Sequence, residues 1–351
     1  MSKKPLIASI VGMLCVAAYM GSWALSQPKF TETLAEDLLA QVEVAPLDQA
    51  VTLAVVKDAG VLLITAASVE GVEGVPLNQF GITAEKDAVD AFLMLGHDRL
   101  IKIIGQSEAS HFAWEALSVP VQAQGKHIAA GTNYMAHAKE VGHEGEPFLF
   151  PKLSIATGWQ SKVKAGTRLD HEVELCAVPL KDYSLGEQAQ LGYLLCGDFT
   201  DRWQLVKDID ASGDMGKTGF PVAKGGDTRF PVGPFLVIPT DTDFYKTVEM
   251  KLYVNTKLRQ QAAAERMVWD PVIIMNKALE DCGSQYQLHD KALTIIDSCA
   301  AIAAKTIVLT GTPEGVMFHL ATLWNPAFYL QQGDVVTAYS RYLGITRNTI
   351  D

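Results

Sequence analysis

The stretch Arg168-Leu169-Asp170-His171-Glu172-Val173-Glu174-Leu175-Cys176-Ala177-Val178-Pro179-Leu180 sets two carboxylates, Glu172 and Glu174, inside an otherwise apolar, β-forming run. On a strand, residues i and i+2 point to the same face. Two like charges side by side on a half-buried surface repel each other and are costly to desolvate. A cation bound between them removes both penalties. The competing reading is a solvent-facing edge strand that carries charge against aggregation.

The chain has 351 residues, enough for one large domain or two of ordinary size. A hydrophobic fraction of 48% and a charged fraction of 20% are those of a folded globular protein. The net charge of −11, with no basic stripe, excludes non-specific nucleic-acid binding. The five cysteines form no CxxC pair and no zinc-like spacing, which argues against a soft-metal site.

At the N-terminus, Lys3 and Lys4 precede an uncharged, mostly apolar run from Pro5 to Leu25, a membrane-spanning length. Lysines before it and Glu32, Glu36 and Asp37 after it predict an anchor over residues 1–27 with the body outside the cytoplasm. The alternatives are a signal segment cleaved near Ser22-Trp23-Ala24, releasing a secreted or periplasmic body, and a buried helix of the domain.

Residues 28–125 read as a small α/β domain without obvious catalytic residues. A helical connector is expected over Thr31–Val42. Val51–Val56 and Val61–Ala66 form a hairpin pattern around Lys57-Asp58-Ala59-Gly60. Thr83 to Leu95 has helical spacing with Thr83 as its cap, and Leu100–Ile104 reads as a strand. His111 reads as a surface or packing residue.

Chemistry gathers in residues 126–351. His127–Ala130 reads as a strand, followed by Asn133-Tyr134-Met135-Ala136-His137-Ala138-Lys139-Glu140. On a helix His137 and Glu140 share a face, and a carboxylate beside an imidazole fixes its tautomer as a general base requires. An exposed polar pair has the same spacing. Asp198 follows the apolar run Gln190–Cys196 and is placed to complete a three-carboxylate site, or to cap a helix. Lys207–Pro221 reads as a polar, glycine-rich loop. Lys224 then sits between an apolar pair and Gly225-Gly226. Val248–Val254 reads as a strand and Trp269–Glu280 as a helix. The run Ala304–Thr310 opens into Gly311-Thr312-Pro313-Glu314-Gly315-Val316, whose amides and hydroxyl suit a carboxylate or enolate oxygen, or merely make a turn.

The order of these motifs resembles the fumarylacetoacetate hydrolase family, specifically its C-terminal catalytic domain. The motifs are Asn133-Tyr134-x-x-His137-x-x-Glu140, Glu172-Val173-Glu174, Gly192-Tyr193 with Asp198 and Arg202, Lys224 with Pro231-x-Gly233-Pro234, and Thr310 to Val316. The resemblance implies an α+β fold with a mixed β-sandwich roll, commonly dimeric. It implies Mg2+, or Ca2+ or Mn2+, on Glu172, Glu174 and Asp198, in accord with the preference of hard ions for oxygen. It further implies hydrolysis of a C–C bond in a diketo or acylpyruvate-type acid through a metal-held enolate. His137, oriented by Glu140, would activate water. Lys224, Tyr134, Arg202 and Thr312 would bind substrate oxygens or support the pocket.

Three segments depart from the family pattern. Arg202-Trp203-Gln204 lacks the acidic partner that usually follows the arginine. Gly225-Gly226-Asp227 replaces Ser-Phe-Asp, and Met317–Gln332 is longer and more aromatic than expected. Other readings on the same scaffold are a 2-oxo acid decarboxylase, hydratase or isomerase. From another class comes a membrane-tethered keto-acid binding protein without turnover. By strand parity, Cys176 and Cys196 share a face with neighbouring Glu174 and Asp198. They read as small packing residues, or as a disulfide if their Cα atoms lie within about 4.4–6.8 Å.

Overall fold

Val173–Pro179 is buried along its whole length, and that burial fixes its place in the sheet. It pairs antiparallel with Leu191–Gly197 on one side and with Val308–Leu309 on the other, so the charged-edge-strand reading is excluded. The computed structural model describes residues 4–34, 37–210 and 212–351, with side chains from residue 11 onward.

Among the described residues eleven strands form one large mixed sheet, giving a mixed α+β fold. From one edge the order is Ser110–Phe112, Val72–Pro76, Gly60–Ala67, Ala50–Val56, Leu236–Pro239, Leu191–Gly197, Val173–Pro179, Val308–Leu309, Lys126–Gly131 and Phe148–Leu153. Leu117–Ser118 also pairs with Ala50–Val56. The hairpin expected over 51–66 is present, and it joins the sheet of the C-terminal region through Leu236–Pro239. The link between Val308–Leu309 and Lys126–Gly131 is parallel. Both strands therefore run out at the same end of the sheet, where Thr310-Gly311-Thr312 and Thr132-Asn133 emerge side by side. Asn133 staples the two exits, its Nδ2 donating to Thr310 O and Trp269 O, both at 2.8 Å. A second sheet runs Lys257–Ala263, Glu249–Val254, Val335–Ser340, Gly344–Thr349, antiparallel throughout.

Several local expectations are corrected. Leu100–Ile104 lies within the helix His97–Gln106, because Leu100 and Ile103 at helical spacing bury one face. The helix expected from Thr83 starts at Ala88 instead. Its cap is Asp87, which accepts from the Asp90 amide at 2.9 Å while Asp90 reaches back, forming a capping box. Between Thr31 and Val42 only a short 3-10 turn forms, Leu38–Gln41; Ala35 and Glu36 of that span lie outside the described residues. Cys176 and Cys196, expected as packing residues, are disulfide-bonded with Cα atoms 6.0 Å apart. Cys282 and Cys299 form a second disulfide.

The membrane anchor is overturned. Lys4–Ser26 is a helix, but among the described residues no helix is long and apolar enough to cross a membrane. Its last turns face protein instead. Ser22 and Ser26 are buried, and Tyr19 packs 5.9 Å from Trp324 and 6.0 Å from Phe328. Trp324 Nε1 donates to Ser22 Oγ at 3.1 Å. The aromatic segment after Met317 thus serves as the seat of this helix. The anchored localisation and the membrane-tethered binding protein, both drawn from that anchor, fall with it.

Candidate active site

Glu172, Glu174 and Asp198 converge beside the parallel strand exits, each offering a carboxylate oxygen within 4.8 Å of the other two. Glu172 and Glu174 flank the first residue of their strand, and Asp198 follows the last residue of the neighbouring one. The antiparallel register, Gly197 opposite Val173, brings the three together, and Asp198 N–H donates to Glu172 O at 2.9 Å. Helix capping falls to Asp201, which accepts from the Trp203 and Gln204 amides.

All three carboxylates are buried, so each needs a partner. Asp198 accepts from Lys152 at 2.6 Å through Oδ1 and from Lys224 at 2.7 Å through Oδ2. Glu172 accepts from Arg202 at 2.5 Å and from Lys224. Arg202 also donates to Asp170 at 2.8 Å, and Asp170 accepts the Met317 and Phe318 amides. Asp170, Glu172 and Glu174 therefore form an acidic series at i, i+2, i+4.

Glu174 stands apart. It accepts one hydrogen bond, from the Gly311 amide at 2.7 Å. Gly311 has φ +91°, and a Cβ there would lie 2.9 Å from the Asn133 side chain, so glycine is what lets this amide reach Glu174. Burial pushes the Glu174 carboxyl well above the usual range, and Asp198 and Glu172 push it the same way. Burial alone would also raise Glu172, but Lys224 and Arg202 outweigh it and hold that carboxyl low. Such a carboxylate facing two others, in an all-oxygen donor set, fits a hard divalent cation.

His137 lies on the helix Met135–Val141, its Nδ1 3.3 Å from Glu140 Oε2. Glu140 also accepts the Gly315 amide at 3.1 Å and a salt bridge from Lys29, three residues past the end of the N-terminal helix. Burial would raise the Glu140 carboxyl; the bonds to His137 and Lys29 outweigh it and keep it low. Thr312 Oγ1 donates to Val173 O at 3.1 Å and accepts from Gln260 at 2.8 Å, tying the second sheet to the site. Tyr134 is buried, and its hydroxyl has no hydrogen-bond partner among the described residues.

His137, Glu172, Glu174, Arg202, Lys224 and Thr312 share the wall of one cavity of about 500 Å3. Tyr134, Glu140 and Asp198 stand behind that wall. Sequence reasoning missed Lys152, Asp170 and Gln260 as members of the site. Lys152 carried a readable signal, a lone cation in the apolar run Phe148–Leu153; so did Asp170, which continues the parity of Glu172 and Glu174. Gln260 carried none.

Residues 126–351 match the family model of the fumarylacetoacetate (FAA) hydrolase C-terminal domain. The chain is 28% identical over 245 residues to 2,4-didehydro-3-deoxy-L-rhamnonate hydrolase of Sphingomonas sp. (strain SKA58), covering 66% of this chain and 75% of the relative. It is 30% identical over 204 residues to a mitochondrial oxaloacetate decarboxylase of Dictyostelium discoideum, covering 54% of this chain and 82% of the relative. Maleylpyruvate hydrolase from Sphingobium sp. SYK-6, solved with manganese(II) and pyruvate, shares the fold at a TM-score of 0.58 and 19% identity, over 85% of this chain and 98% of that one.

Proposed function

Since the chain belongs to the fumarylacetoacetate hydrolase family, we propose that it is a divalent-metal-dependent hydrolase cleaving a C–C bond in a diketo or acylpyruvate-type acid. The observation that carries this reading is the meeting of three buried carboxylates, two of them on the wall of one cavity, with a carboxylate-backed histidine on the same wall. Glu172, Glu174 and Asp198 would hold Mg2+, or Mn2+ or Ca2+. That ion supplies Lewis acidity for the oxygens of a 1,3-dicarbonyl or 2-oxo acid. The manganese and pyruvate bound by the Sphingobium hydrolase agree with this assignment.

The protein's own groups do the remaining work. Glu140 accepts from His137 Nδ1–H, which leaves Nε2 as the basic nitrogen facing the cavity. His137 Nε2 takes a proton from water as its oxygen adds to the carbonyl carbon. The C–C bond then breaks, and its electron pair passes to the departing fragment as an enolate. A proton delivered to that carbon completes a carboxylic acid and a ketone-bearing product. Arg202 and Lys224 hold Glu172 ionised, and Thr312 and the Gly311 amide fix the wall against which the substrate lies.

A second reading, decarboxylation of a 2-oxo acid, is favoured by the resemblance to the Dictyostelium decarboxylase. It passes through the same kind of enolate but consumes no water. Purified protein with Mg2+ or Mn2+ is incubated with acylpyruvates and with oxaloacetate, and products are identified by mass spectrometry. Pyruvate plus a carboxylic acid is the expected outcome. Carbon dioxide from oxaloacetate without acylpyruvate hydrolysis selects the second reading, and no product from either overturns both.

A further inference from the structure

The cavity that holds the acidic cluster is lined by charged and by apolar side chains. Besides Glu172, Glu174, Arg202 and Lys224 its wall includes Leu205, Val206, Ile209, Met215 and Phe220. Leu205 and Val206 lie on the helix Arg202–Asp208 that begins with the site arginine, so charged and apolar lining share one rigid element.

The segment that carries Met215 is fastened down. Gly216 has φ +88°, and a Cβ there would come within 2.2 Å of Leu149 O, so its backbone presses directly on the Phe148–Leu153 strand. Asp210 N–H donates to Thr218 Oγ1 at 2.7 Å, closing the loop on itself. The apolar wall is a built surface.

Charge beside the apolar wall decides what it accepts. The cavity's cationic side chains, Arg202 and Lys224, are each bonded to two carboxylates of the cluster. Lys217, two residues past Met215, turns away to Asp281 at 2.6 Å and to the face of Tyr286. His143 lines the cavity with its Nε2 2.9 Å from Glu146 O and its ring against Phe148. Among the described residues no uncommitted cation faces the apolar wall, so a second carboxylate there would lose hydration to apolar side chains without gaining a cationic partner. A cavity of about 500 Å3 far exceeds what the keto-acid group alone needs.

We infer that the substrate is a 2-oxo or 2,4-dioxo acid whose far end is an uncharged aliphatic or aryl tail seated against Leu205, Val206, Ile209, Met215 and Phe220. This rests on the reading of the acidic cluster as the keto-acid site.

Binding is measured by calorimetry on the Mn2+-loaded full chain, and turnover separately. The ligands are 2,4-dioxo acids with methyl, butyl and phenyl ends, and one of butyl length ending in carboxylate. Affinity is expected to rise about fourfold per added methylene, the fold-change that burial of one CH2 provides, and the carboxylate-ended acid to bind at least tenfold more weakly than its alkyl counterpart. Val206→Lys, at a partly exposed position where a lysine folds without strain, is expected to reverse that preference. A flat series, or tighter binding of the carboxylate-ended acid to the unmodified chain, overturns the tail assignment even if short acylpyruvates turn over. The tail-length trend without turnover upholds the assignment and overturns the hydrolase reading instead. An intact fold of Val206→Lys is verified by circular dichroism; unchanged preference in the folded variant also overturns the assignment.

Discussion

Asp198 Oδ1 and Lys152 Nζ lie 2.6 Å apart with neither side chain accessible to solvent. Lys152 also donates to two backbone carbonyls, Lys224 O and Arg229 O, so all three ammonium protons are used. Burial lowers the Lys152 ammonium, and the opposing pull of Asp198 is what keeps a charged lysine tolerable there. Removing one partner of such a pair leaves the other as an uncompensated buried charge. Lys152→Met is expected to destabilise the protein by about 3 kcal/mol in urea denaturation. Adding Asp198→Asn should recover part of that loss, and an additive double variant would show that the two charges are not coupled.

The His137–Glu140 pair gives a prediction about rate. His137→Ala should lower the turnover number by about 10^2 to 10^4 with little change in KM, the usual worth of a positioned base. Glu140→Gln should give a smaller loss, because the Gly315 amide bond is kept in part and the ring nitrogen keeps a neighbour. Full activity in His137→Ala, assayed by product formation, would remove the water-activating role.

Metal dependence is read most cleanly through Glu174. Chelation should abolish turnover, Mg2+ or Mn2+ should restore it, and each ion should raise the melting temperature of the unmodified chain. Glu174→Gln removes the carboxylate with the fewest protein partners and should abolish the metal-induced rise. A metal-induced rise of equal size in Glu174→Gln, seen by scanning calorimetry, would move the metal elsewhere.

Part of the acid sensitivity should trace to His127, which lies outside the metal cluster; His171, buried and depressed in the same direction, adds to it. The His127 Nε2 bonds to Ser154 O at 3.0 Å and its Nδ1 accepts the Ile307 amide at 3.4 Å. Burial depresses its pKa to about 4, against an ordinary value of 6.5. The folded state therefore holds the ring neutral. Its contribution is fully present above the ordinary value and is lost as the pH falls from there towards about 4, roughly 3 kcal/mol in all. His127→Gln should flatten that part of the stability profile. An unchanged slope in urea titrations between those limits would assign acid lability to other groups.

The sequence disclosed the charged members of the site better than the geometry that serves them. Glu172, Glu174 and Asp198 stand out because a charge in an apolar β-run demands a reason, and the structure brings them to one point. Tyr134 was legible only as a member of a motif, whereas the Thr312 hydroxyl followed from the strand-to-turn segment that carries it. Gln260 was invisible, since nothing local in Lys257–Ala263 hints that its amide reaches Val173, Thr312 and Pro313 across two sheets. The hairpin at 51–66 followed from alternation and turn residues. Leu100–Ile104 misled because a short apolar run fits either period, and only its burial on one helical face resolved it. The N-terminal helix misled for a related reason. Length suggested a lipid partner, but its polar and small residues are matched to Trp324 and Phe328, more than three hundred positions away.

The placement of Val173–Pro179 also has a consequence for biosynthesis. Its first neighbour, Leu191–Gly197, leaves the ribosome soon after it, but its other neighbour, Val308–Leu309, comes more than a hundred residues later. Until then the most deeply buried strand of the protein keeps an open edge, with its hydrogen-bonding groups and apolar faces available to other chains. Between synthesis of residues 180 and 310 the nascent chain carries this open edge, and added chaperone over that interval should raise soluble yield.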